Sequence, residues 1–321
     1  MSAHGGNKAI IAALLANTGI AVTKFIAAFL SGSASMLAEG VHSVADAGNQ
    51  LLLLVGKKRS QRVADAEHPF GYGRTRYVYA FIVAIVLFSV GGLYSLYEGI
   101  HKVQNPHPLD PNWWWLPLVV LVVAIVLESF SLRTAIGESN LVRGNQGWVS
   151  FIRRSKAPEL PVVLLEDVAA LIGLVFAFIG VGLTALTGNG LFDGFGTLAI
   201  AALLIAVAVV LGIEMKSLLV GEGANPDDDA AIRTVIEAHP RIVRLIHSKT
   251  LYVGPEELLV AAKVGFEADL ALSDVAAATN EIETAIRERV PVARIIYLEA
   301  DVYRPAEAAP PTDTIVIKSA D

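Results

Sequence analysis

LPVVLLEDVAALIGLVFAFIGVGLTAL, residues 160–186, is the stretch on which the fold turns. A bilayer core about 30 Å thick is crossed by about 20 mostly apolar residues of helix. This run is longer than that, and it carries an adjacent pair of acids, Glu166 and Asp167, a few residues in. It reads as a membrane span with a reason to hold charge. Five more stretches meet the same length, at about Lys8–Ser31, Ala34–Val55, Tyr77–Ile100, Trp113–Leu132 and Phe192–Leu219. With Leu160–Leu186 they predict an α-helical membrane protein of six transmembrane helices over residues 1–220. Composition agrees, because 54% hydrophobic and 17% charged residues in a chain of 321 cannot coat a soluble globule.

Loop charge predicts orientation. Lys57, Lys58, Arg59, Arg62, Arg74 and Arg76 fall between the second and third spans, and Arg143, Arg153, Arg154 and Lys156 between the fourth and fifth. Those loops are expected in the cytoplasm, with both termini, which suits the cytoplasmic (inner) membrane. Trp113, Trp114 and Trp115 fit an outer interfacial anchor. The N-terminal apolar run is expected to be retained as the first span, since no cleavage pattern follows it.

After Glu222 the charges return. Asn225-Pro226 followed by three aspartates opens a helix. Strands are predicted at Ile242–Val253 and Leu258–Phe266 around a Gly254-Pro255 turn, then a helix at Ser273–Arg289 and a strand at Arg294–Val302. This is a small α+β unit of order αββαβ, residues 221–305, with a loose Pro- and Ala-rich tail at 306–321.

The chain has no cysteine, so disulfides, thiolate nucleophiles and Cys-type zinc sites are excluded. The net charge of −6 without a basic run argues against a nucleic-acid partner. Metal chemistry must therefore use His, Asp, Glu or amides. The second span supplies them: in SASMLAEGVHSVADAGNQ, residues 33–50, Glu39, His42, Asp46 and Asn49 recur at three, four and three residues and share one helix face. His42 and Asp46 offer an imidazole nitrogen and a carboxylate oxygen to one ion, a donor set suited to zinc and its first-row neighbours. Glu166 and Asp167 point about 100° apart. We expect Asp167 to face that pair and Glu166 to face a neighbouring helix, a water cavity or a supporting role. Lys24 is expected to snorkel to the outer interface, the counter-ion to the acidic cluster being the alternative reading. Gly91-Gly92, Gly194 and Gly196 are expected to let helices pack closely.

Several stretches in order resemble the cation diffusion facilitator family, and more closely its branch of mitochondrial-type zinc transporters. They are MLAEGVHSVAD followed by GNQ, DAEHPFGYGRTRYV at residues 65–78, FSVGGLYSLYEG at 88–99, and LLEDVAALIG at 164–173. The resemblance implies six spans, a ferredoxin-like cytoplasmic domain, a homodimer in membrane lipid, and efflux of a divalent ion, Zn²⁺ first, by proton antiport with alternating access. It also implies that His42, Asp46 and Asp167 are metal ligands. Where better-known members have a fifth-span His, this chain has Val163, so Glu166, Asn49, Glu39 or a water is expected to complete the shell. Asp65 and His68 match two positions of a loop site whose third position here is Tyr72. No cofactor is implied beyond the transported metal and H⁺.

No Walker-type phosphate loop or HExxH motif is present, so neither ATP hydrolysis nor a metalloenzyme is expected. A divalent cation channel, or an antiporter specific for Mn²⁺, Fe²⁺ or Co²⁺, is the alternative reading, because similar acids serve both.

Overall fold

The computed structural model describes residues 5–31, 34–107, 109–110 and 112–303, with the side chains of 5, 6, 28, 30, 31, 34–39, 41 and 42 outside that description. The tail at 306–321 and the side chains of Glu39 and His42 therefore lie outside the described residues. The chain forms two compact units, one holding the residues up to Asp65 with Arg74–Leu219, the other Ala66–Gly73 with the residues from Val220 onward.

The first unit is helical: α1 (Gly5–Ser31), α2 (Ala34–Ser60), α3 (Thr75–Val86), a π-helical stretch (Leu87–Leu93), α4 (Tyr94–Gln104), α5 (Trp115–Arg143), α6 (Trp148–Arg154), α7 (Glu159–Thr187) and α8 (Leu191–Val220). Among the described residues, five helical segments are long and apolar enough to cross a membrane: Asn7–Ala27, Thr75–Gln104, Trp115–Arg143, Glu159–Thr187 and Leu191–Val220. They correspond to five of the six expected spans. The remaining one, α2, has the length at 27 residues but carries the polar face and a basic last turn, Lys57, Lys58 and Arg59. Three differences concern extent. α5 runs on to Arg143 and α2 to Ser60, because polar ends continue a helix past the apolar run that marks its span. The segment after α5 contains the short helix α6, with Phe151 turned inward and Trp148 under the Arg143 guanidinium at 4.3 Å from the ring centroid.

α1 packs on α2, α5 and α7, and α5 packs on α7. These four helices surround the polar residues discussed below. α7 stops where Gly188 takes a positive φ of 72° and its N–H closes on the Thr184 carbonyl. The Thr184 hydroxyl then accepts the Asp193 N–H at 3.1 Å and sets the entry to α8. Close packing of α7 on α8 depends on small residues, as expected of membrane helices: a Cβ on Gly180 would lie 2.8 Å from the Phe192 carbonyl oxygen, and one on Gly196 3.1 Å from that of Phe176. Leu53, Tyr77 and Leu211, among the largest buried side chains of the unit, belong to an apolar cluster that also holds Val163. Beside it Arg76 donates to Glu159 through both Nε and Nη2, the latter at 2.6 Å, and both side chains are buried.

The second unit contains α9 (Pro226–Glu237), β1 (Ile242–Gly254), β2 (Glu257–Phe266), α10 (Leu272–Arg289) and β3 (Ala293–Val302). The Asn225 side chain caps α9 by accepting the Asp228 N–H at 2.9 Å. The sheet has order β1-β2-β3, antiparallel between the first pair and parallel between the second. Leu258, Val260, Ala262 and Val264 alternate inward along β2 onto Ile232, Ile236, Ile282 and Ile286 of the two helices. The opposite face of β2 carries Lys263, paired with Glu299 and Asp301 of β3 at 2.9 and 3.1 Å.

Candidate metal centre

A cavity of about 230 Å³ lies inside the first unit. Asp46 of α2, Glu128 of α5, and Glu166 and Asp167 of α7 all line it, together with Asn17 and Lys24 of α1. Each acid interrupts an otherwise apolar span, and burying it there costs free energy unless a cation or donors offset it.

The two acids of α7 divide between neighbours, as adjacent helical residues must. Glu166 is held by α2: Asn49 Nδ2 donates to its Oε1 and Gln50 Nε2 to its Oε2, both at 3.0 Å. Asp167 turns toward α5, where the Ser131 hydroxyl donates to Oδ2 at 2.7 Å and Glu128 lies within hydrogen-bonding reach. Thus Glu166, rather than Asp167, makes the hydrogen bonds to the second span. Asn49, a candidate ligand from spacing, spends its amide nitrogen on Glu166. Its Oδ1 and the Oε1 of Gln50 are buried and accept no hydrogen bond from a described residue.

Lys24 differs from expectation. It is 6% exposed, donates to Ser43 Oγ at 3.0 Å and lines the same cavity, within electrostatic reach of Glu128. An ammonium facing several carboxylates gains more from them than from reaching the interface. Glu128 is absent from the set that spacing singles out, because no His, Asp or Glu stands one turn away from it on its helix. Its signal was the lone ionisable group at the middle of an apolar run. Val163 is fully buried in the apolar cluster and contributes no donor to the cavity.

Among the described residues no three His, Asp or Glu side chains stand close enough together to hold an ion, and His42 and Glu39 lie outside that set. In the loop, Asp65 and His68 are exposed, and the His68 ring packs against Tyr72 with centroids 4.3 Å apart. The cavity continues to Lys102, Leu109 and Asp193, where Lys102 Nζ pairs with Asp193 Oδ2 at 3.0 Å.

Residues 10–220 match the family described as the cation efflux transmembrane domain. The chain is 34% identical to the mitochondrial proton-coupled zinc antiporter SLC30A9 of Xenopus laevis over 83% of its own length and 48% of that protein's. It is 29% identical to metal tolerance protein C4 of Arabidopsis thaliana over 87% and 61%, and 27% identical to the cation-efflux pump FieF of Cronobacter sakazakii over 90% and 91%. The chain spans about half the length of the curated antiporters it matches. With the matched domain running from within α1 to the end of α8, the chain belongs to the cation efflux family, the cation diffusion facilitators, beside its mitochondrial zinc-antiporter branch.

Proposed function

We propose that this chain carries a divalent cation, Zn²⁺ first, out of the cytoplasm in exchange for protons, by alternating access to a site that includes His42, Asp46 and Asp167. The observation that carries the reading is the cavity in which Asp46, Glu128, Glu166 and Asp167 gather among apolar spans. A divalent ion offsets that charge, and the SLC30A9 and FieF relatives are a proton-coupled zinc antiporter and a cation-efflux pump.

In this reading α2 is the sixth span, with Asp46 and Gln50 on the cavity and Asn49 on Glu166 of α7. Residues 1–220 are the transport domain, 221–305 a cytoplasmic ferredoxin-like domain and 306–321 a tail. The protein is a homodimer in the cytoplasmic membrane with both termini inside. Glu166, Asn49 and Glu39 support or complete the ligand shell, and Asp65 with His68 is a loop site of lesser reach.

The chemistry couples the two ions. A metal ion needs a neutral imidazole at His42 and ionised carboxylates at Asp46 and Asp167, so its binding displaces protons and protonation displaces it. One site then serves both in turn. The cavity reaches Lys102 and Asp193, expected at the outer ends of the spans. Rocking of the helices would open the site to each face in turn.

The test is flux into proteoliposomes under an imposed pH gradient, with Zn²⁺, Mn²⁺, Fe²⁺ and Co²⁺ in parallel. Gradient-driven Zn²⁺ uptake that Asp46→Ala abolishes is the expected outcome. Uptake indifferent to the gradient would favour a channel, and normal flux through a well-folded Asp46→Ala protein would overturn the site.

A further inference from the structure

We propose that Glu128 is itself a ligand of the transported ion, closing with Asp167 a two-carboxylate clamp between α5 and α7. This rests on the reading that the cavity is the transport site.

Glu128 is 2% exposed, at the middle of α5, and lines the cavity together with Asp46 and Asp167. It lies within hydrogen-bonding reach of Asp167. Two buried carboxyl groups in contact repel unless a proton or a cation stands between them, and structural needs alone give no reason to oppose them in hydrocarbon. Ser131 already supplies the hydrogen-bond donor that Asp167 would need for support, and it does so from the same helix as Glu128.

A second observation points to a cation independently. Gln50 is 1% exposed and lines the cavity, and its Oε1 accepts no hydrogen bond from a described residue while its Nε2 is committed to Glu166. A buried acceptor left without a donor costs about 1–3 kcal/mol, and a cation entering the cavity relieves it. Acceptors without donors, set beside opposed carboxylates, form the lining of a cation site.

The clamp has a consequence for selectivity. It makes the donor set richer in oxygen than one imidazole with two carboxylates, and oxygen donors favour harder ions such as Mn²⁺ over the imidazole-loving end of the first row. Removing Glu128 should then weaken Mn²⁺ more than Zn²⁺.

The experiment measures equilibrium binding of Zn²⁺ and Mn²⁺ to the purified full chain in detergent, with the absorption bands of bound Co²⁺ as a report on the ligand shell. Glu128→Gln keeps the shape and an N–H to offer Asp167, and Glu128→Asp keeps the charge but retracts it. As a ligand, Glu128 should lose at least the roughly tenfold to hundredfold affinity that even an outer-shell partner is worth, in both variants. The Co²⁺ bands should shift, and size-exclusion profiles should stay unchanged. Wild-type affinity in Glu128→Gln overturns the proposal, as does full recovery in Glu128→Asp, which would make Glu128 a source of field only. Asp46→Ala separates the levels: if it abolishes binding while Glu128→Gln does not, this inference fails and the transport site stands. Wild-type binding by Asp46→Ala would instead overturn the reading beneath it.

Discussion

Arg76 and Glu159 are two buried ions whose chemistry the cavity does not use. Arg76 is 9% exposed and Glu159 2%, and they meet through a two-pronged contact between the first turns of α3 and α7. Such a pair adds little net stability over an apolar substitute, but breaking it strands a buried charge, at a cost of about 3–5 kcal/mol. Arg76→Ala should therefore lower the melting temperature of the detergent-purified protein sharply. Arg76→Met combined with Glu159→Leu should recover most of the loss; if the double variant is as unstable as the single one, the pair is not what holds those helix ends. Arg76 shows the limits of reading residues singly. In sequence it belongs to a basic loop and marks orientation, and its burial depends on a glutamate 83 positions away. Asp46 was legible by its helical spacing from His42 and Asn49, and Glu166 and Asp167 because they break an apolar span. Glu128 obeys the same rule, yet its partners come from other helices, and spacing along one helix cannot name them.

At the scale of elements, periodicity and length located the spans, while their ends and irregularities depended on backbone geometry. The third span holds the π-helical stretch Leu87–Leu93, in which the Ser89 hydroxyl returns to the Ile85 carbonyl at 2.8 Å. Gly92 lies in that stretch, and a Cβ there would meet Ile205 of α8 at 2.6 Å. The glycines foretold the close approach, but nothing in their composition foretold the extra residue in the turn. α7 and α8 supply the sharper test. Gly180 faces the Phe192 carbonyl at 2.8 Å from a built Cβ, whereas Gly182, on the same helix, has nothing within 4 Å. Gly180→Leu should push the two helices apart and cost about 1–3 kcal/mol, as overpacking does. Gly182→Leu should leave the melting temperature nearly unchanged. Equal effects from both would mean that helix propensity, not packing, sets the stability at these positions.

At the scale of the molecule, the order αββαβ and the spans were readable because each element buries its own pattern: alternation along β2, long apolar runs in α7 and α8. What no local pattern announced is that the chain enters the second unit twice. After α2 it leaves the helical unit at Asp65, contributes Ala66–Gly73 to the second unit and returns at Arg74; it enters again for good at Val220. The middle of the loop read as a basic connection is thus part of the second unit, while its basic residues stay with the first. The last residue of that middle segment is fixed by contact with the end of β1: a Cβ on Gly73 would lie 2.7 Å from the Val253 carbonyl and 2.8 Å from the Gly254 Cα. Both are backbone atoms that cannot swing aside. Gly73→Val should therefore lift the segment off the strand while leaving the sheet core of Val260, Val264 and Ile286 intact. Proteolysis of a folded protein follows the population of the opened segment when closing is fast. Chymotrypsin should then cut after Tyr72 severalfold faster in Gly73→Val than in the wild type, with the far-UV signal of the protein unchanged. An unchanged cutting rate would mean that the segment opens as readily in the native protein, and that its place beside β1 holds it no more firmly than an ordinary surface loop.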